Sequence, residues 1–160
     1  MRSGFFNSTI TGYDEEGRPI FDRAEDASFF AKYFSQLAGN GVFALPADGL
    51  MVQAKEGMAV TVKAGTCFIN GYMGWLEQDK ALQIEACSET FARIDRVVAR
   101  YDAVQRSIDL YVSKGTPAAS PAPPDITQQA QGDIYELALA DILVNRNASA
   151  LRQADITDLR

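Results

Sequence analysis

Histidine is absent from the 160-residue sequence, and cysteine and tryptophan are scarce, with two copies and one copy. The lack of histidine removes the commonest general base and the commonest metal ligand of proteins. No hydrophobic run reaches the ~18 residues of a membrane-spanning helix. The first seven residues also lack the longer apolar core of a secretory signal. These absences favour a binding or structural role over catalysis.

Positive charge is also sparse, with 15 Lys and Arg against 21 Asp and Glu and a formal net charge of −6. Clustered Lys and Arg supply most of the affinity for phosphates, and the sequence has no basic block, so we expect no nucleic-acid partner. The 47% of hydrophobic and 22% of charged residues are ordinary for a globular protein of one domain. We therefore predict one domain over residues 22–160, preceded by an N-terminal arm, residues 1–21.

The arm combines Gly, Asn and Ser with aromatic residues. Its segment 14–19 joins acidic residues to Gly and Pro, a combination that predicts a turn. Exposed aromatic side chains on such an arm are poorly solvated unless something covers them. Two interpretations stay open: the arm packs on its own domain, or it docks on a neighbouring subunit. In the second, Phe5, Phe6 and Tyr13 are the candidate subunit-interface residues.

Residues 24–38 carry the pattern of a long amphipathic helix. Asp22 stands at the N-cap position, and Glu25 three residues later completes a capping box. Gly39 and Gly41 supply the glycines typical of a helix C-terminus. One face of the predicted helix carries the apolar residues Phe29, Phe30, Tyr33, Phe34 and Leu37. We expect this face to cover a sheet, since aromatic residues without convergent polar groups do not form a specific cofactor pocket.

After Pro46 the hydrophobic pattern changes to period two. The alternating segments 50–55 and 58–63 flank a Glu-Gly pair and predict a hairpin. Further strand candidates are residues 66–71, 82–85, 93–102 and 107–113, of which the last two are predicted to pair. Repeated short strands separated by turns indicate a β-sandwich or barrel. The predicted fold is therefore mainly β, an antiparallel β-sandwich with the long N-terminal helix packed against it.

The last third of the sequence is predicted to belong to the same domain. Residues 115–124 form a polyproline-like connector, interpreted as a crossover loop because too few residues follow it for a second core. Residues 134–144 are apolar enough for a buried strand, interrupted by a bulge or not, although their Ala, Leu and Glu content also fits a short helix. Residues 155–160 resemble the start of a further element, so we expect the natural protein to extend beyond Arg160.

Motifs for chemistry are weak or missing. No Ser-x-x-Lys spacing or phosphate-binding loop occurs, and the pair Asp155 and Asp158 is better explained as capping or solvated acids than as a Ca²⁺ site. Cys67 and Cys87 lack the spacing of a zinc site. Buried free thiols are the favoured interpretation for them, while a disulfide stays open. We expect no enzyme activity, no metal and no cofactor.

Several segments, taken in order, resemble a known family. They are Ser3–Ser8, the aromatic helix closing at Gly39–Phe43, Gly65–Tyr72, Arg93–Arg100, Lys114–Pro124, Tyr135–Ala140 and Asp155–Arg160. In this order they resemble the N-terminal module of tail or baseplate structural proteins from phages and prophages of Gram-positive bacteria. The related proteins include upper baseplate proteins and the shoulder domains of receptor-binding proteins.

This resemblance implies a β-sandwich with one long helix that acts as an attachment module in an oligomeric tail tip. The implied partners are other tail or baseplate proteins and further copies of the chain. The implied location is the virion, after assembly in the bacterial host cytoplasm. No membrane partner is implied, and receptor recognition normally lies in later domains of such proteins.

Two other functions remain as alternatives. A carbohydrate-binding β-sandwich would use exposed aromatics such as Tyr72 and Trp75 to stack on sugar rings and contribute to adsorption on the host surface. The simpler interpretation is that Trp75 fills the core or the base of a loop. A cell-wall-degrading enzyme would need two carboxylates on opposite sides of a cleft.

Overall fold

The structure, a computed structural model, describes residues 8–23, 25–87, 90–129 and 132–160. The protein is mainly β, with 44% strand, 7% helix and antiparallel sheets, as the sequence predicts. Its elements are β1 (Ile10–Tyr13), β2 (Pro19–Phe21), α1 (Ala27–Phe34), β3 (Gly41–Val42), β4 (Val52–Lys55), β5 (Ala59–Val62), β6 (Gly65–Ile69), β7 (Tyr72–Leu76), β8 (Lys80–Gln83), β9 (Arg93–Asp102), β10 (Ser107–Ser113), β11 (Ile134–Val144), a 3₁₀ turn (Gln153–Asp155) and β12 (Ile156–Asp158).

The strands form three larger sheets and one separate hairpin. The sheet orders are β10-β9-β11-β12, β3-β6-β7 and β4-β5-β8, and the hairpin pairs β1 with β2. Buried side chains from all three larger sheets share one hydrophobic core, which includes Val60, Cys67, Val97 and Ile142. The predicted hairpins β4–β5 and β9–β10 are confirmed in position and pairing.

Strand β11 runs through the residues predicted as a buried strand. Its register against β9 shifts between Ala138 and Ala140, which is the bulge that the sequence left open. The helical alternative for this segment is therefore wrong. Pairing with β9 over its whole length outweighs the helix propensity of Ala and Leu, because burial of an apolar strand between two neighbours contributes more than local preference.

The connector between β10 and β11 lies against the sheet that these strands belong to. Arg96 on β9 donates a hydrogen bond of 2.8 Å from Nη1 to the carbonyl oxygen of Pro124. The amide of Thr127 donates to Glu136 Oε2 at 2.9 Å, and Glu136 also accepts from Arg100. These contacts make the polyproline-like segment part of the same folded unit.

Helix α1 differs from the prediction. It spans eight residues, Ala27–Phe34, and is not the long helix expected over residues 24–38. Its N-cap is Asp26, whose Oδ1 accepts a hydrogen bond of 2.9 Å from the amide of Phe29. Asp22 serves elsewhere: its Oδ1 accepts from the amide of Thr9 at 2.7 Å and closes the β1–β2 hairpin. Asp22 is therefore held by the hairpin and does not cap the helix.

The predicted turn at residues 14–19 is confirmed. Asp14 Oδ1 accepts hydrogen bonds from the amides of Glu16 and Arg18, and Gly17 adopts φ +78°. Such carboxylate-to-backbone bonds are typical of turn-forming Asp. Strands β1 and β2, which flank the turn, were not predicted from the sequence.

Candidate functional site

The β6–β7 hairpin presents apolar side chains on its outer side. Asn70 and Gly71 both have positive φ, 52° and 86°, as the two-residue loop of a tight hairpin requires. The register pairs Phe68 with Met73 and Thr66 with Trp75. Because partners in a sheet share one side, these side chains lie on the side opposite to Cys67 and Gly74.

The side chains on the outer side of β7 are largely exposed. Met73 is 60% exposed and Trp75 is 67% exposed, whereas Gly74 between them faces the core. A β-carbon at Gly74 would lie 2.7 Å from Ile108 Cγ2. Glycine at this position lets β7 approach β10 closely, while the larger neighbours point outward.

Helix α1 lies beside this hairpin and is held there through small residues. A β-carbon at Gly71 would lie 1.9 Å from the carbonyl oxygen of Ala31, so glycine is required where the helix meets the hairpin loop. Behind the helix, Asn40 Oδ1 accepts a hydrogen bond of 2.7 Å from the amide of Asn70. Ala31 is the buried residue of α1.

A continuous apolar surface joins the helix to the sheet. A groove of about 550 Å³ lies between Phe30 and Phe34 of the helix and Phe68 and Met73 of the sheet. Phe43 continues the surface, since its ring meets that of Phe68 edge-on at 6.3 Å between centroids. We call the set Phe34, Phe43, Phe68, Met73 and Trp75 the apolar face.

A second groove of about 500 Å³ borders the apolar face. Tyr72 and Tyr101 line it with their rings stacked at 5.4 Å, and Ala27 and Met73 line both grooves. Arg106 stands at the rim, exposed and with positive φ. Arg106 adds one positive charge to a groove that is otherwise lined by uncharged side chains.

The aromatic residues predicted from the sequence as interface or sugar-binding candidates differ in where the structure places them. Phe5 and Phe6 lie outside the described residues, so their proposed interface role stays a prediction. Tyr13 is at the end of β1 and is 66% exposed. Tyr72 is half-buried against Tyr101. Trp75 lies within strand β7 and is 67% exposed, so of the two placements in the simpler interpretation, the core and the base of a loop, the core is wrong.

Most of the apolar face was missed from the sequence. Phe43, Phe68 and Met73 were not singled out, although the alternation of Met73, Gly74 and Trp75 carries a usable signal. Two large apolar residues around a central glycine place both large side chains on one side of a strand. That side of β7 is exposed because no other sheet covers it among the described residues. The sequence of the strand alone does not show whether another sheet will cover it.

The acidic pair near the C-terminus has two separate partners. Asp155 binds the Arg152 side chain, which holds the pKa of that carboxyl below its usual value. A hydrogen bond from Arg160 lowers the pKa of Asp158 in the same way. Asp155 also accepts from the amide of Arg152, a capping contact that agrees with the interpretation made from the sequence.

Over residues 8–23, 25–87, 90–129 and 132–160, no group of three or more His, Cys, Asp or Glu side chains is placed to hold a metal ion. Over the same residues, no helix has the length and apolar character needed to cross a membrane.

Cys67 and Cys87 are both buried free cysteines, as the favoured interpretation predicted. Burial raises the pKa of the Cys67 thiol to about 11, because the charged thiolate is poorly solvated in the protein core. We expect Cys67 in a Cys87→Ser variant to resist a thiol reagent near pH ~8 and to react once urea unfolds the chain. Rapid labelling of the folded variant, followed by mass spectrometry, would contradict this assignment.

No protein-family model matches this sequence, and no curated protein sequence matches it.

Proposed function

We propose that the protein is a phage tail or baseplate structural protein that acts as an attachment and assembly module through protein–protein contacts. The observation that carries the proposal is the apolar face, which leaves Met73 and Trp75 more than half exposed in the folded chain. Contiguous exposed apolar surface is unfavourable in water and typically marks an interaction site. The resemblance of the sequence to tail and baseplate modules supplies the class of assembly.

The same proposal includes the finer architecture. The sheet β10-β9-β11-β12 on one side, with the two three-stranded sheets on the other, would form a β-sandwich around the shared core. In this arrangement α1 and the outer side of β7 lie at the surface, where a partner can reach them. The implied partners are other tail or baseplate proteins, and the implied location is the tail tip.

Immuno-electron microscopy tests this function directly. Antibodies raised against the purified chain should label the tail tip of phage particles induced from the organism that carries the gene. Particles lacking the gene serve as the control and should stay unlabelled. Intact, infectious particles that contain no copy of the chain would refute the proposal.

Carbohydrate binding is a second candidate, and it is favoured by the exposure of Trp75. An exposed indole ring on the flat side of a strand can stack on a sugar ring. If this function holds, Trp75→Ala should lower affinity for a bound glycan by about tenfold or more, as expected when an aromatic anchor is removed. Tyr13→Ala is the matched control, since Tyr13 is equally exposed but lies on the β1–β2 hairpin.

A glycan array followed by calorimetry would make this measurement. Absence of any bound glycan, or equal affinity in Trp75→Ala and the parent chain, would exclude carbohydrate stacking at this position.

A further inference from the structure

The β1–β2 hairpin has one apolar side. Its register pairs Ile10 with Phe21 and Tyr13 with Pro19, and these four residues share one side of the two-stranded sheet. None of its strand residues is buried, and Tyr13 is the most exposed of its large apolar side chains. A two-stranded hairpin is at best marginally stable in water unless its apolar side is covered. The hairpin therefore needs a surface to pack on.

The apolar face is a surface of matching chemistry. Both surfaces consist of aromatic and aliphatic side chains that remain partly exposed in the described chain, and the apolar face includes one side of the β6–β7 hairpin. They are also close in sequence, because Asp22 closes the hairpin and α1 begins at Ala27, which lines both grooves. A short segment therefore joins the hairpin to the helix that contributes Phe34 to the apolar face.

Charge at the edges of the two surfaces is complementary. The tip of the hairpin carries Glu15 and Glu16, which are exposed and make no ion pair among the described residues. Near the apolar face, Arg106 of the β9–β10 turn lines the second groove beside Met73, and Lys80 lies near Trp75 together with Asp109; Lys32 is in the last turn of α1. These three basic residues are likewise exposed and make no ion pair within the described ranges. Apolar contact with a charged rim is the usual composition of a protein interface.

We propose that the β1–β2 hairpin of one copy packs its apolar side on the apolar face of a second copy. The acidic tip then lies near Lys32 or Arg106 of that copy. Since the donor and acceptor surfaces differ, the contact is head-to-tail and leads to a closed ring when the rotation between copies permits closure. This inference rests on the proposed function, in which the apolar face binds other proteins, and it names a second copy of the chain as the protein bound there.

Two double variants separate the two surfaces. Tyr13→Ser with Phe21→Ser removes the apolar side of the hairpin, and Met73→Ser with Trp75→Ser removes the centre of the apolar face. Sedimentation velocity over a concentration series should show an oligomer for the parent chain and monomers for both variants. Circular dichroism confirms that each variant is folded. Ile20→Ser is the matched control, because Ile20 lies on the other side of the hairpin, and this variant should remain oligomeric.

Mixing the two monomeric variants gives the sharpest result. The hairpin variant retains an intact apolar face, and the face variant retains an intact hairpin, so an equal mixture should form heterodimers with one native contact. The heterodimer cannot grow further, because its remaining surfaces are both altered. If instead the hairpin variant stays oligomeric by itself, or the mixture stays monomeric, the head-to-tail contact is wrong.

A charge exchange tests the orientation. Glu15→Lys with Glu16→Lys, and separately Arg106→Glu with Lys32→Glu, should each weaken association, and mixing these two charge variants should restore it. Equal association of all charge variants would overturn the placement of the acidic tip.

A strictly monomeric parent chain would overturn the inference, with the hairpin then packing within its own copy. Such a monomer could still label tail tips, so the proposed function would stand without this contact. An oligomer that responds as expected, but labels no particle, would support the contact and refute the tail function.

Discussion

Replacement of Asp95 by alanine is expected to destabilise the protein by about 3–5 kcal/mol, the range for removing one partner of a buried ion pair. Arg93 and Asp95 are almost completely buried, at 2% and 1% exposure. Asp95 accepts from Arg93 Nε at 2.8 Å and from Nη2 at 3.0 Å, and its Oδ1 also accepts from the amide of Gly115. The variant would leave the guanidinium with a buried, uncompensated charge.

Urea denaturation measures this loss. Glu85→Gln is the control, since it breaks the exposed pair of Glu85 with Lys114 and should change stability little. A double variant, Arg93→Met with Asp95→Val, should be more stable than Asp95→Ala because no buried charge remains. A loss for Asp95→Ala no greater than that of the exposed control would contradict the assigned role of the pair.

Gly71→Ala is expected to displace helix α1 from the β6–β7 hairpin. The new β-carbon would stand 1.9 Å from the carbonyl oxygen of Ala31, and φ of 86° is itself unfavourable for alanine. The backbone strain contributes about 1–2 kcal/mol, and the steric conflict adds about 1–3 kcal/mol as the helix shifts. Phe34 would move away from Phe68, so association through the apolar face should weaken in the same variant.

Gly57→Ala is the matched control for this variant. Gly57 also has positive φ, 73°, but a β-carbon there would meet nothing within 4 Å. Both variants introduce backbone strain at a positive φ, so the difference between their free energies of unfolding measures the steric conflict with helix α1. Hydrogen exchange gives a local readout, because the amide of Ser35 donates to the Ala31 carbonyl at 2.9 Å and should exchange faster only in Gly71→Ala. Equal stability and exchange in both variants would show that Gly71 does not position α1.

Local pattern was sufficient to predict much of the β structure. The alternation over 93–102 and 107–113 yields strands with the predicted bounds, because successive side chains of a strand point to opposite sides of the sheet. Local pattern failed at α1, where the spacing of the aromatic residues predicted a helix over residues 24–38 and the structure has one of eight residues. Asp22 looks like an N-cap in sequence but bonds Thr9, a residue 13 positions away.

The interaction surface was predictable only in part. Tyr13 was named from the sequence as an interface residue of the aromatic arm, and Trp75 was named as an exposed aromatic only in the carbohydrate-binding alternative. Phe43 and Phe68 belong to the same surface because β3, β6 and β7 form one sheet, and no sequence pattern showed which strands become neighbours. The positive rim depends on Arg106, which reaches the apolar face only through the turn between β9 and β10.

The absence of histidine, the short alternating strands and the turn glycines follow from the amino-acid sequence alone, and the strand and turn pattern predicts the mainly β fold that the structure has. Which apolar side chains end in the core and which remain outside was decided by tertiary structure. Met73 and Val97 both stand in alternating strands, yet only Val97 is covered by a second sheet. Burial depends on what packs over a strand, and that is a long-range property of the folded chain.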